Sequence, residues 1–184
     1  MRVSAMQRHH VQVTGRGTQG LVFAHGFGCD QTVWRYVAPA FEDTHRVLAF
    51  DHAGCGKADA AAYDERRHAS LEGYADDLLD ILDESGLQQV VLVGHSVSSV
   101  IGLLAAIRRP ERFARLVLLA PSPRFLNDPP DYVGGFDADD LTGLFDLMES
   151  NHFGWAHFLA PIAIGERNPA ALTREFEDGL CRLD

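Results

Sequence analysis

Four short apolar runs limit what this chain can fold into. LVFAHG (21–26), RVLAFDHAG (46–54), VVLVG (90–94) and LVLLA (116–120) are continuous rather than alternating, the pattern of strands covered on both faces. Such strands belong to a mostly parallel sheet, and parallel neighbours need long crossovers between them. The intervening sequence supplies helices for that purpose. In SLEGYADDLLDILDESGL, Leu71, Tyr74, Leu78 and Leu82 recur at helical spacing with acids opposite. Ser70 stands at the N-cap position and Gly86 supplies the stop. A second helix is predicted from Val97 to Arg108, ending before Pro110. HVQVTG (10–15) alternates and reads as an edge strand.

The texture changes after residue 121. PSPRFLNDPPDYVGGF is a long Pro/Gly loop, and the remainder reads as three helical pieces, DADDLTGLFDLMESN, HFGWAHFLAPIAIG and NPAALTREFEDGLCRLD. The fold class is therefore α/β, with a strand-rich core over 1–121 and a helical part over 122–184. A formal charge of −10 without a basic cluster argues against a nucleic-acid partner. No run approaches the ~20 apolar residues of a membrane span, and the N-terminus has no apolar stretch of signal-peptide length. Cys29, Cys55 and Cys181 lack metal-ligand spacing, so free thiols in a reducing cytoplasm are expected.

The chemistry centres on VVLVGHSVSSVIGLLAAIRR (90–109). Ser96 follows a strand and a glycine, and a helix begins directly behind it. A serine on so sharp a turn is held in a strained conformation that projects its hydroxyl outward, with small residues two before and two after. Here those are Gly94 and Ser98, giving G-x-S-x-S rather than G-x-S-x-G. The alternative is that Ser96 merely caps the helix. Upstream, AHGFGCD (24–30) also follows a strand, and its glycines let the backbone turn toward the serine. In that arrangement the amides of Phe27 and Val97 aim at the oxygen that becomes negative during attack on a carbonyl.

HGFGCDQTVW (25–34), HRVLAFDHAGCGKAD (45–59), LEGYADDLLDIL (71–82), VGHSVSSVIGLLAAIRRPERF (93–113) and SPRFLNDPPDYVGGF (122–136) together resemble the α/β-hydrolases of the RsbQ group. These are bacterial stress-signalling hydrolases similar to the plant strigolactone and karrikin receptors. The resemblance implies an α/β-hydrolase core with a cap of four helices over a small apolar pocket, of which three are present here. It implies Ser96 as nucleophile, Phe27 and Val97 as oxyanion donors, and Phe27, Val97, Phe125, Trp155 and Phe158 in the substrate pocket. For the three cap aromatics, helix packing without ligand contact remains the alternative. It further implies a small apolar ester or lactone as substrate, and a signalling partner of phosphatase type.

In that group the nucleophile is followed by an Asp and a His on loops beyond the cap. The last histidine here is His157, inside the helical part, and the chain stops at Asp184. The triad Asp and His are therefore expected to lie outside these residues. His25 belongs to the oxyanion loop, His95 adjoins Ser96 with its ring directed away, and His152 and His157 belong to the cap. A hydroxyl without a base is a poor nucleophile. The 184-residue chain alone is accordingly expected to be inactive, and marginal in stability because LVLLA would expose a sheet edge.

The remaining motifs carry less. GRGTQG (15–20) has dinucleotide-loop letters but precedes a strand, where that motif opens a helix. No cofactor and no metal are predicted. Asp51 is read as a structural cap for the next loop. Three readings stay open: a serine hydrolase, a ligand-sensing signalling module, or a catalytically idle fragment.

Overall fold

The computed structural model describes residues 3–165 and 167–182. The chain divides into two compact units, Met1–Pro121 and Ser122–Asp184. Met1, Arg2 and the Leu183–Asp184 end of the third helical piece lie outside the described residues.

In the first unit, β1 (Gln12–Thr14), β2 (Gln19–Ala24), β3 (His45–Phe50), β4 (Val90–His95) and β5 (Phe113–Leu119) form one sheet in the order β1-β3-β2-β4-β5. β1 runs antiparallel to β3, and the other pairings are parallel. The four apolar runs thus become the parallel strands of one open, mostly parallel sheet. Period-two geometry sends their side chains to both faces. Val22, Ala24, Leu48, Phe50 and Leu92 pack with Leu78, Ile81 and Leu82 of α2 (Leu71–Ser85) and Ile101 and Ala105 of α3 (Val97–Arg108). Leu21, Phe23, Val47 and Val93 point the other way and are covered by Trp34, at the end of a short 3-10 turn.

Both crossover helices fall where their periodicity puts them. Gly86 closes α2 at φ 69°, a left-handed conformation that costs glycine nothing. The alternating 10–15 segment keeps only three strand residues, all exposed. β5 starts at Phe113, three residues earlier than the apolar run, because a 3-10 turn over Pro110–Arg112 delivers the chain straight into it. A one-turn helix, α1 (Ala5–Arg8), is capped by the Ser4 side chain and buries Ala5 against the α2 side of the sheet. It is too short to announce itself by periodicity.

The second unit is helical. α4 (Ala138–Ser150), α5 (His152–Ile164) and α6 (Ala170–Leu180) follow a loop in which Asn127 Oδ1 accepts from the amides of Gly134 and Gly135. Asp137 and Asp140 form a reciprocal capping box at the start of α4. Trp155, Ala156, Ala160 and Leu180 make this unit's own core, flanked by Leu144, Leu147, Met148 and Phe176.

Candidate active site

The register of the parallel strands decides what meets at the C-terminal edge of the sheet. Ala24 pairs with Phe50 on one side and with Gly94 on the other. The residues that follow each strand therefore converge, as ligand-binding loops do in open α/β sheets. Ser96 sits there at φ 54°, ψ −119°, a backbone region costly for any residue with a side chain. Its N–H donates to Leu119 O at 2.8 Å, and its carbonyl accepts from Ser99 N–H at 2.9 Å. α3 begins at Val97, so the first amides of the helix have no intrahelical acceptor. The Ser96 side chain makes no capping bond to that helix. It is not there as a cap.

Two glycines make this packing possible. A Cβ on Gly94 would stand 2.5 Å from Ser98 O, and one on Gly26 would stand 2.6 Å from His95 Nδ1 and 3.3 Å from Ser96 Cβ. The loop after β2 therefore lies directly against the turn that carries Ser96. Phe27, the next residue in that loop, is well exposed, while Val97 is half-buried.

Beneath the turn lies a buried network of three side chains that the sequence did not reveal. His25, His52 and Ser98 are all buried. The Ser98 hydroxyl donates to His25 O at 2.5 Å and lies 2.7 Å from His52 Nε2. The His52 backbone N–H donates to His25 Nε2 at 3.1 Å, and His25 Nδ1 lies 2.9 Å from Gly26 O. Burial holds both imidazoles below their ordinary pKa, His52 well below it, so both are neutral near pH 7. A signal was available: two neighbouring parallel strands each run into a histidine at the same end.

Among the described residues, no hydrogen bond ties a histidine to the Ser96 hydroxyl. His25 and His52 are committed to the network, and the His95 ring lies against Gly26. His152 Nε2 sits 2.8 Å from Leu180 O, and His157 Nδ1 sits 3.0 Å from Glu177 Oε1, both within the second unit. Asp51 is a structural acceptor. Its Oδ1 takes the Gln31 N–H at 2.8 Å and its Oδ2 the Lys57 N–H at 2.9 Å. Burial and neighbouring acids push the Cys29 and Cys55 thiols up to about 11, so neither is a thiolate nucleophile at neutral pH.

Ser96, Phe27 and Val97 thus all lie in the first unit, with Gly26, the neighbour of Phe27, packed against the Ser96 turn. Phe125, Trp155 and Phe158 belong to the second. Phe125 and Phe158 expose about half of their surface, whereas Trp155 is 1% exposed and packs inside that unit's own core.

Residues 20–160 match the alpha/beta hydrolase fold family, and the chain belongs to it. It is 46% identical over 174 residues to "Strigolactone esterase D14" of Arabidopsis thaliana, covering 95% of this chain and 64% of that protein. It is 42% identical over 177 residues to "Karrikin insensitive 2 receptor CA" of Petunia hybrida, covering 96% of this chain and 65% of the relative. A hydrolase from Oleispira antarctica superposes with a TM-score of 0.94 at 41% identity, covering 98% of this chain and 66% of that structure. The chain therefore spans about two thirds of the length of the relatives it matches.

Proposed function

We propose that this chain carries the nucleophile half of a serine esterase of RsbQ type, acting on small apolar esters or lactones. The observation that carries the reading is Ser96 at φ 54°, ψ −119° on a strand-to-helix turn, with Gly26 packed against it. Ser96 Oγ attacks the acyl carbon, and its proton passes to a general base. The Phe27 and Val97 amides hold the resulting oxyanion. The acyl carbon–oxygen bond then breaks, the leaving oxygen takes the proton back, and in a lactone the ring opens. Water cleaves the acyl-enzyme to free Ser96. The reading places the base, and the Asp that orients it, in the third of the relatives' length that this chain does not span. Three free cysteines fit work in a reducing cytoplasm.

A second reading, a ligand-sensing module reporting to a protein partner such as a phosphatase, is favoured by the name "receptor" borne by the Petunia relative. A Ser96→Ala variant that still signals would select it over coupled hydrolysis.

The test of the first reading is intact-mass detection of labelling by a fluorophosphonate, on chain whose folding circular dichroism has verified. Imidazole supplied in solution serves as an external general base. The expected result is one label per chain, accelerated by imidazole and absent in Ser96→Ala. A folded chain that takes no label even with imidazole, or a label that persists in Ser96→Ala, overturns it.

A further inference from the structure

We propose that Ser98 and His52 are positioning residues that aim the Phe27 amide, an inference resting on the assignment of Phe27 as an oxyanion donor. The proton arrangement in the buried network has one solution. A backbone N–H can only donate, so His25 Nε2 accepts from His52 N–H, and the His25 proton sits on Nδ1, where it meets Gly26 O. A carbonyl can only accept, so the Ser98 proton points at His25 O, and its oxygen is left to accept from His52 Nε2–H. The hydrogen bonds thus run His52 to Ser98 to His25 O on one branch, and His52 N–H to the His25 ring to Gly26 O on the other.

The two carbonyls at the ends of these branches are consecutive. His25 O belongs to the peptide plane shared with Gly26, and Gly26 O to the plane shared with Phe27. In a trans peptide the C=O and the following N–H point in opposite directions. Fixing Gly26 O therefore fixes the direction of Phe27 N–H, and fixing His25 O removes the remaining freedom of the glycine that links the two planes. Ser98 is also in the first turn of the helix whose first residue is Val97. One hydroxyl ties the loop holding one proposed donor to the helix holding the other. With glycine at 98, as in G-x-S-x-G, that tie does not exist.

The experiment compares Ser98→Ala with Ser99→Ala in the 184-residue chain. Ser99 is an internal control, since its buried hydroxyl donates to Gly94 O at 2.7 Å and touches neither clamped peptide. Two readouts are taken on each folded variant: nitrogen-15 correlation spectra of the backbone and of the imidazoles, and the fluorophosphonate labelling rate with imidazole present. In the wild type, His25 should show the Nδ1–H form and His52 the Nε2–H form. Ser98→Ala should shift or broaden the Gly26 and Phe27 amide signals and slow labelling about tenfold or more, on the scale of a weakened oxyanion donor. Ser99→Ala should leave the Gly26 and Phe27 amide signals where they are in the wild type.

If the Phe27 amide is the same in Ser98→Ala as in wild type, or moves equally in Ser99→Ala, the positioning role is overturned whatever labelling does. If the wild type takes no label, the esterase reading fails while the Phe27 amide still decides the clamp. His52→Phe, which keeps a ring but removes the Nε2 donor, is the second variant should Ser98→Ala not fold, and the same outcomes apply to it.

Discussion

Gly94 lies so close to Ser98 that a Cβ built on it would meet the Ser98 carbonyl oxygen at 2.5 Å. The obstacle is backbone of the helix that starts right after Ser96, so it has no rotamer through which to yield. Gly94→Ala is expected to cost about 1–3 kcal/mol, the usual range for forcing an extra carbon into a packed site. It should also lower labelling of Ser96 by displacing the turn. Urea unfolding together with the labelling rate checks both. Wild-type stability and labelling in Gly94→Ala would mean that strand and helix do not pack this closely.

Acid should weaken the fold well before its carboxylates titrate. His9, His25, His52 and His95 are all held below 6.5, in each case chiefly by burial. The unfolded chain then binds more protons than the native one below that value. The stability these neutral rings confer is complete above pH 6.5 and is lost as pH falls from there toward the folded-state values. Each histidine contributes a slope of up to about 1.4 kcal/mol per pH unit in that window. The melting temperature should drop between pH 7.5 and 5.5, and drop less in His52→Gln. A flat or rising profile would contradict the burial of these rings.

Asp77 is buried, with Arg67 Nη2 at 2.6 Å on one oxygen and buried His68 Nε2 at 2.8 Å on the other. Asp77→Ala should cost about 3 kcal/mol in chemical denaturation, because the buried His68 ring loses its carboxylate where solvent does not reach it, whereas the exposed Arg67 regains water. The neighbouring Asp76 pairs with Arg108 at the surface. Asp76→Ala should cost less than about 1 kcal/mol. Equal costs for the two would show that the buried carboxylate matters no more than the solvated one.

β5 is paired with β4 along one edge, and among the described residues no strand pairs with the other. Val117 and Leu119 are each 40% exposed on it. An open apolar edge invites pairing between copies, and a lysine on it discourages that. Val117→Lys should reduce concentration-dependent light scattering of the isolated chain while changing its stability by about 0.5 kcal/mol or less. Unchanged scattering would assign self-association to another surface.

The sheet and its two crossover helices were legible because they rest on local patterns, continuous apolar runs in the strands and 3.6-residue spacing in α2. The Ser96 turn was legible for the same reason, since its strand, glycine and helix are contiguous. What the sequence hid is long-range. Ser98 meets His25 across 73 positions, and His52 meets Ser98 across 46. No window of sequence contains either pair, and adjacent Asp51 and His52 had no visible partners. α1 escaped notice because a single turn has no period to read. Trp155 shows a further limit: helical spacing leaves open whether an aromatic faces its neighbours or a ligand, and here the ring is buried among Ala156, Ala160 and Leu180.

Asp51 has two oxygens, and each is given to a different loop, one to Gln31 after β2 and one to Lys57 after β3. A residue inserted or deleted between strand and amide on either side would withdraw one donor and leave half a carboxylate bare in the interior. The two loops are thus not free to drift separately in length. Over evolutionary time they should be inherited as a pair, and a family tree built from the length of one should reproduce that built from the other.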